Sequence, residues 1–205
     1  MNAPAGIVLC GGRSRRMGAP KALLDFAGQP LLLRMLGILR QACDPLLVVA
    51  APDQELPPLP ADVLVARDSR PHDGPLHGIA AGLEALPPGA DMAFVVGCDS
   101  PLLAPAWIRF VASKLGASDI ALPVAGGFEQ PLAAVYRRAV AGTARSLLAA
   151  DRHRPVFLTE THSAVLIPES ELRAVDPDLD SLRDADTPAE LAALLGRFQS
   201  HAAKA

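Results

Sequence analysis

The sequence predicts an α/β fold of three layers: a mostly parallel sheet with helices on both faces, and a small antiparallel β extension in the second half. Three observations lead there. Short apolar runs alternate with longer amphipathic ones along the first half of the chain. The short runs are continuously apolar instead of alternating in and out, which marks strands buried on both faces. The 205 residues are 50% hydrophobic but only 4% aromatic, so Ala, Leu and Val must fill a single core of ordinary size.

The elements follow in order. Strands are expected over 6–10, 46–51, 63–66, 92–97 and 120–124. Between them, 30–42 places Leu31, Leu32, Met35, Leu36 and Leu39 on one stripe, with Pro30 in the first turn. Further helices are expected over 76–86 and 105–115. This β-α-β-α order implies parallel strands joined by right-handed crossovers, a single-domain Rossmann-like arrangement. The second half is less regular. "PVAGGFEQPLAAVYRRA" reads as two strands joined around Gly126 and Gly127, followed by a helix through Leu148. "HSAVLIP" is another short strand. The last helix, 187–198, has Thr187 as N-cap, Pro188 at N1 and Glu190 at N3, a capping box. Residues 199–205 are expected to fray. The Pro-rich stretch "PDQELPPLPAD" reads as a surface loop within the domain.

Charge is nearly balanced, 19 basic against 22 acidic residues. That argues against a general nucleic-acid binder, which carries a positive face. The three cysteines, Cys10, Cys43 and Cys98, form neither a disulfide framework nor a zinc motif. No basic start is followed by a long apolar run and a cleavage site, and no run is long enough to cross a bilayer. The expectation is a cytoplasmic protein with no membrane partner.

Against this background, "GIVLCGGRSRRMGAPKALL" (6–24) stands out. Gly11 and Gly12 directly follow the first strand, where open parallel sheets bind ligands. Glycines there let backbone N–H groups approach an anion, and Arg15, Arg16 and Lys21 offer cations to phosphate oxygens. The alternative is a solvated basic loop. Neither G-x-x-x-x-G-K-[ST] nor G-x-G-x-x-G is present. Asp99 follows the apolar run 92–97, and a carboxylate at that strand end suits Mg²⁺; by itself it could equally be a turn former in "CDSP".

Four stretches resemble one family in order and span nearly the whole chain. "LCGGRSRRMGAPKALL" is similar to the L-x-G-G-x-S-x-R-M-G-x-x-K signature of nucleotidyltransferases that cap a phosphorylated acceptor. "RDSRPHDGPLHGI", "VVGCDSPLL" and "DADTPAEL" are similar to D-x-x-x-x-x-G-P-L-x-G, C-D-x-P-x-[LI] and N-x-N-T-P-E-E-L of the molybdenum-cofactor guanylyltransferases. The resemblance implies Mg²⁺-dependent transfer of GMP from GTP to the terminal phosphate of molybdopterin, with release of pyrophosphate. It implies that Leu9, Cys10, Gly11, Gly12, Lys21, Asp68, Gly74, Pro75, Gly78 and Asp99 bind the nucleotide. Arg16, Lys21 and Asp99 would be catalytic, with Asp99 on the metal. Residues 1–100 would form the nucleotide-binding half and 101–198 the acceptor-binding half. Cofactor-insertion proteins and molybdoenzyme chaperones would be the further partners. Arg13 falls at a variable position of the signature, and Arg15 is left without a role.

The chain departs from the pattern in places. Ala50 or Ala51 stands where relatives often carry an asparagine after the second strand. Asp184 and Asp186 replace the C-terminal asparagines thought to face the pterin, and carboxylates there need a metal or a cation between them and an anionic acceptor. Gln130 replaces the usual histidine of H-P-L-x-A-L-Y. His77, at a variable position, reads as a surface histidine. Cys10 and Cys98, on neighbouring strands, could couple on oxidation and block the site; two small buried residues are the plainer reading. Other readings are a CTP-dependent enzyme on the same cofactor, a sugar-phosphate nucleotidyltransferase, and a nucleotide-binding carrier without turnover. "LCGG" and "GPLHG" favour the guanylyl branch.

Overall fold

The computed structural model describes residues 3–10, 17–68 and 74–203. Its centre is a sheet whose path begins with β1 (Ala5–Leu9), β4 (Leu46–Ala50), β5 (Leu64–Arg67) and β6 (Met92–Gly97). β2 (Asp25–Phe26) and β3 (Gln29–Pro30) form a separate small hairpin. β7 (Ile120–Ala125), β8 (Phe128–Glu129), β9 (Ala133–Arg137) and β10 (Ala164–Ile167) complete the main sheet. The strand order is β10-β7-β9-β6-β1-β4-β5, with β8 paired to β7. β1, β4, β5 and β6 are mutually parallel, and β9 runs antiparallel between β6 and β7. The expected parallel α/β/α architecture and its antiparallel extension are both present.

Alternation along the buried strands builds two apolar layers. Val8, Val48, Phe94 and Val96 point to one face, where α1 (Leu31–Leu39) and α3 (Pro105–Lys114) cover them. Ile7, Leu9, Leu47, Val49 and Val95 point to the other, beneath α2 (Pro75–Glu84) and α4 (Val140–Ala149). Trp107 of α3 is wholly buried, and its indole N–H donates to the Ala133 carbonyl. β5 departs from the expectation of strands buried on both faces: Leu64 and Val65 stay exposed because β5 is the edge of the sheet.

The hairpin at Gly126 and Gly127 is a two-residue turn, with φ of +59° and +80° at successive positions. Only glycine takes both without strain, and this turn matches the twist of its strands. α6 (Pro188–Ala202) runs four residues past its expected end. Its capping box forms as anticipated, with the Thr187 hydroxyl accepting from the Glu190 N–H and Glu190 accepting from the Thr187 N–H. Phe198 of α6 packs on Phe26 with ring centroids 5.7 Å apart, and the Arg34 guanidinium lies 4.2 Å over the Phe198 ring. This docks α6 against the small hairpin and brings the residues before it to the mouth of the sheet. Short helical turns at Lys21–Leu23, Pro155–Glu160 and Asp180–Leu182 and α5 (Glu169–Leu172) fill the connections. Among the described residues, no helix is long and apolar enough to cross a membrane.

Candidate active site

The chain leaves β1 for β4 and β5 on one side, then returns to β6 on the other, so the strand order reverses at β1 and β6. Ligands bind in the crevice that opens at the carboxyl ends of such strands. Cys10 directly follows the end of β1, and Asp99 stands two residues past the end of β6.

Asp99 owes its orientation to Gly97. A Cβ on Gly97 would sit 2.3 Å from Asp99 Oδ1, so only glycine leaves room for the carboxylate to fold back over the strand end. Lys21 starts a short helical turn after Pro20, and its ammonium lies 2.5 Å from Asp99 Oδ2 and 2.6 Å from Asp186 Oδ1. Burial works against the lysine's charge, but Asp99 and Asp186 outweigh it and hold its pKa above the ordinary value. Asp186 is placed by two contacts: the Ala185 N–H donates to the Asp99 carbonyl at 2.9 Å, and the Asp186 N–H donates to Glu190 at 3.0 Å. Ser100 Oγ donates to Asp184 Oδ1 at 2.6 Å. Asp184 is exposed as a residue, and its carboxyl is half-buried where it meets Ser100. Burial, then the negative charges of Asp99 and Asp186, push it up to about 6 against the Ser100 hydrogen bond.

The structure thus brings Lys21, Asp99, Asp184 and Asp186 to one mouth. Lys21 is the cation beside Asp186, while Asp184 bonds Ser100. Leu9 and Cys10 lie at the end of β1 as expected, and Asp68 is buried at the end of β5, its N–H on the Ala50 carbonyl. Gly74, with φ of +100°, and Pro75 open α2. Gly78 serves packing: a Cβ there would meet Leu9 Cδ1 at 3.1 Å, so its absence seats α2 on β1. Gln130 closes the β8–β9 turn, and its amide bonds the Phe128 carbonyl at 3.2 Å. Gly11, Gly12, Arg13, Arg15 and Arg16 lie outside the described residues.

His77 is corrected. It is a buried histidine, 4% exposed, on the inward side of the first turn of α2, with its ring 5.7 Å from that of His153. Cys10 and Cys98 are neighbours as expected, and both are buried. The hydrogen bond that the Cys98 thiol donates to Cys10, together with burial, raises its pKa well above the ordinary value, so it stays protonated. Sequence reasoning did not find Ser100, Gly97 or Gln54. Gly97 and Ser100 stand beside Cys98 and Asp99 in the quoted motif, while Gln54 carried no signal beyond its place in a Pro-rich loop.

An open α/β sheet that gathers a lysine and three carboxylates at its reversal point is the architecture of a nucleotidyltransferase. Residues 6–165 match the MobA-like NTP transferase domain. A Mycobacterium tuberculosis relative, a probable molybdenum cofactor guanylyltransferase, is 40% identical over 174 residues, covering 82% of this chain and 85% of its own. The chain belongs to the MobA-like NTP transferase family. Two solved structures share the fold. Molybdopterin-guanine dinucleotide biosynthesis protein A of Archaeoglobus fulgidus has TM-score 0.78 at 21% identity, covering 96% of this chain and 99% of its own. A Mycobacterium tuberculosis protein crystallised in complex with manganese has TM-score 0.62 at 22% identity, covering 95% and 99%.

Proposed function

We propose that the chain transfers GMP from GTP to the terminal phosphate of molybdopterin, forming the guanine dinucleotide cofactor and releasing pyrophosphate. The observation that carries this reading is Lys21 set between Asp99 and Asp186 at the mouth between β1 and β6. An acceptor phosphate oxygen attacks the α-phosphorus, and the bond to the β-phosphate breaks. The acceptor is already anionic near neutral pH, so no general base is required. What the step needs is alignment and neutralisation of charge.

The donor set fits a hard divalent cation. Two carboxylates, Asp99 and Asp186, already converge on one positive charge, and Mg²⁺ takes one or two carboxylates together with substrate phosphates. Asp99 would hold it, and Asp186 is the second carboxylate at the same mouth. When bound, the metal supplies positive charge to the phosphate oxygens. Lys21 is kept protonated by the same carboxylates and supplies a second positive charge beside them. In this reading Arg16, Gly11 and Gly12 contact the phosphates, Leu9, Cys10, Asp68, Gly74 and Pro75 line the nucleotide, and the C-terminal half receives the pterin. The names of the relatives and the manganese complex of a structural neighbour support it.

Pyrophosphate release tests it. Release is expected only with GTP, molybdopterin and a divalent metal together. A preference for CTP would reassign the base, and nucleotide binding without release would reduce the chain to a carrier.

A further inference from the structure

The carboxyl ends of β1, β4 and β5 are tied together by one glutamine. The Gln54 side chain accepts from the Ala51 N–H at 3.1 Å through Oε1 and donates to the Cys10 carbonyl at 2.9 Å through Nε2. The Cys10 N–H in turn donates to the Val49 carbonyl at 2.8 Å. The N–H and the carbonyl of Cys10 are therefore both tied to the β4 end. Arg67 braces the turn that presents Gln54, its guanidinium donating to the Ala51 carbonyl at 2.8 Å and the Gln54 carbonyl at 3.0 Å. The next residue, Asp68, donates its N–H to the Ala50 carbonyl at 2.9 Å.

The Cys10 and Asp68 N–H bonds are the last rungs of the parallel ladder, whereas the side-chain bonds of Gln54 and Arg67 lie outside it. The strand ladder between β1 and β4 is complete through Leu9 and Val49. What Gln54 adds is a constraint on Cys10, the residue that hands β1 over to Gly11. One group to be satisfied is a donor and the other an acceptor, and a primary amide matches both with a single side chain.

We infer that Gln54 is a positioning residue for the nucleotide: it fixes the backbone of Cys10, a residue that lines the nucleotide in the proposed reading. The inference rests on the nucleotidyltransferase reading of the site. Gln54 acts through Cys10 and touches no reacting atom.

The chemistry of the two partners supplies the test. In Gln54→Glu, a protonated carboxyl offers one donor and one acceptor, as the amide does. Once ionised it only accepts, and it sets negative charge against the Cys10 carbonyl oxygen. In Gln54→Ala both bonds are gone at every pH. The dissociation constants of GTP, CTP and inorganic triphosphate are measured by calorimetry from pH 4 to pH 8 for the full chain and both variants, with Tm read at each pH. Each variant is expressed as a ratio to the wild type at the same pH, which cancels titration of the ligand and of shared groups.

For GTP, the Gln54→Ala ratio is expected to be about three- to tenfold and independent of pH, the worth of one neutral hydrogen bond. The Gln54→Glu ratio should be at least as large at pH 8 and fall towards one at pH 4, where a carboxyl of ordinary pKa is largely protonated. A role in fold stability alone would lower Tm and leave the dissociation-constant ratios of the folded proteins at one. Comparison of Gln54→Glu with itself at the two pH values keeps the test valid even if Gln54→Ala does not fold. A Gln54→Glu ratio that is flat with pH, or ratios of one in both variants, would overturn the inference while leaving the nucleotide reading intact. A wild type that binds none of the three ligands would overturn both.

Discussion

Lys21 Nζ lies 2.5 Å from Asp99 Oδ2, across 78 residues of sequence. The lysine side chain is 17% exposed and the aspartate 22%, so the pair is screened far less than a surface ion pair. Asp186, 55% exposed, completes the clasp from the other side. The arrangement places positive charge at the strand mouth and keeps two carboxylates beside it.

Asp99→Asn removes the carboxylate charge and keeps the shape. Turnover is expected to fall about a hundred- to a thousandfold, the scale of losing one preorganised electrostatic group. Pyrophosphate release measures it, and circular dichroism confirms that the fold persists. A folded Asp99→Asn protein with wild-type turnover would remove Asp99 from the site.

Gly97→Ala makes a sharper test of geometry. The added Cβ would fall 2.3 Å from Asp99 Oδ1, the far end of a side chain that can swing away. Activity should drop nearly as far as in Asp99→Asn, with little change in Tm. Full activity in Gly97→Ala would show that the fold-back of the carboxylate is not needed.

Helix packing predicts opposite signs at two other glycines. A Cβ on Gly82 would meet Ile7 Cγ2 at 2.9 Å and Val49 Cγ2 at 3.2 Å beneath α2, in a closed layer. Gly82→Ala should cost about 1–3 kcal/mol by overpacking. Gly37 on α1 has nothing within 4 Å of its Cβ position. Gly37→Ala should stabilise by about 0.5–1 kcal/mol. Urea denaturation reads both.

Asp184 gives stability a pH dependence. Its carboxyl is pushed up to about 6 in the folded chain from an ordinary 3.8, mainly by burial. The folded state holds that proton more tightly, so the contribution is fully present below 3.8 and is lost as pH rises through 6. Asp184→Asn lacks the proton and the dependence. The Tm of Asp184→Asn minus that of the wild type should grow from pH 4 to pH 7 and then level off. A difference flat across that range would mean that the carboxyl is not raised.

Much of this site was legible before any coordinates. Lys21 and Asp99 were marked by their places after strands, and the resemblance to a family fixed their order. Asp186 was legible as a carboxylate out of place, but not as the partner of Lys21, because 165 residues separate them and no periodicity links them. Gln54 was not legible: its neighbours are prolines and acids, and its role comes from where its turn lands beside β1.

The sequence by itself determined the layered α/β plan, the Gly126–Gly127 turn and the Thr187 capping box, because each depends on residues a few positions apart. Periodicity, turn chemistry and caps are local, so they can be read in one dimension. Only the tertiary structure decided that β9 runs antiparallel between β6 and β7, that His77 is buried, and that α6 carries Asp186 to Lys21. Those outcomes depend on which surfaces meet. The docking of Phe198 on Phe26 sets the last of them and the pairing of β9 with β6 and β7 the first, and no local pattern encodes either.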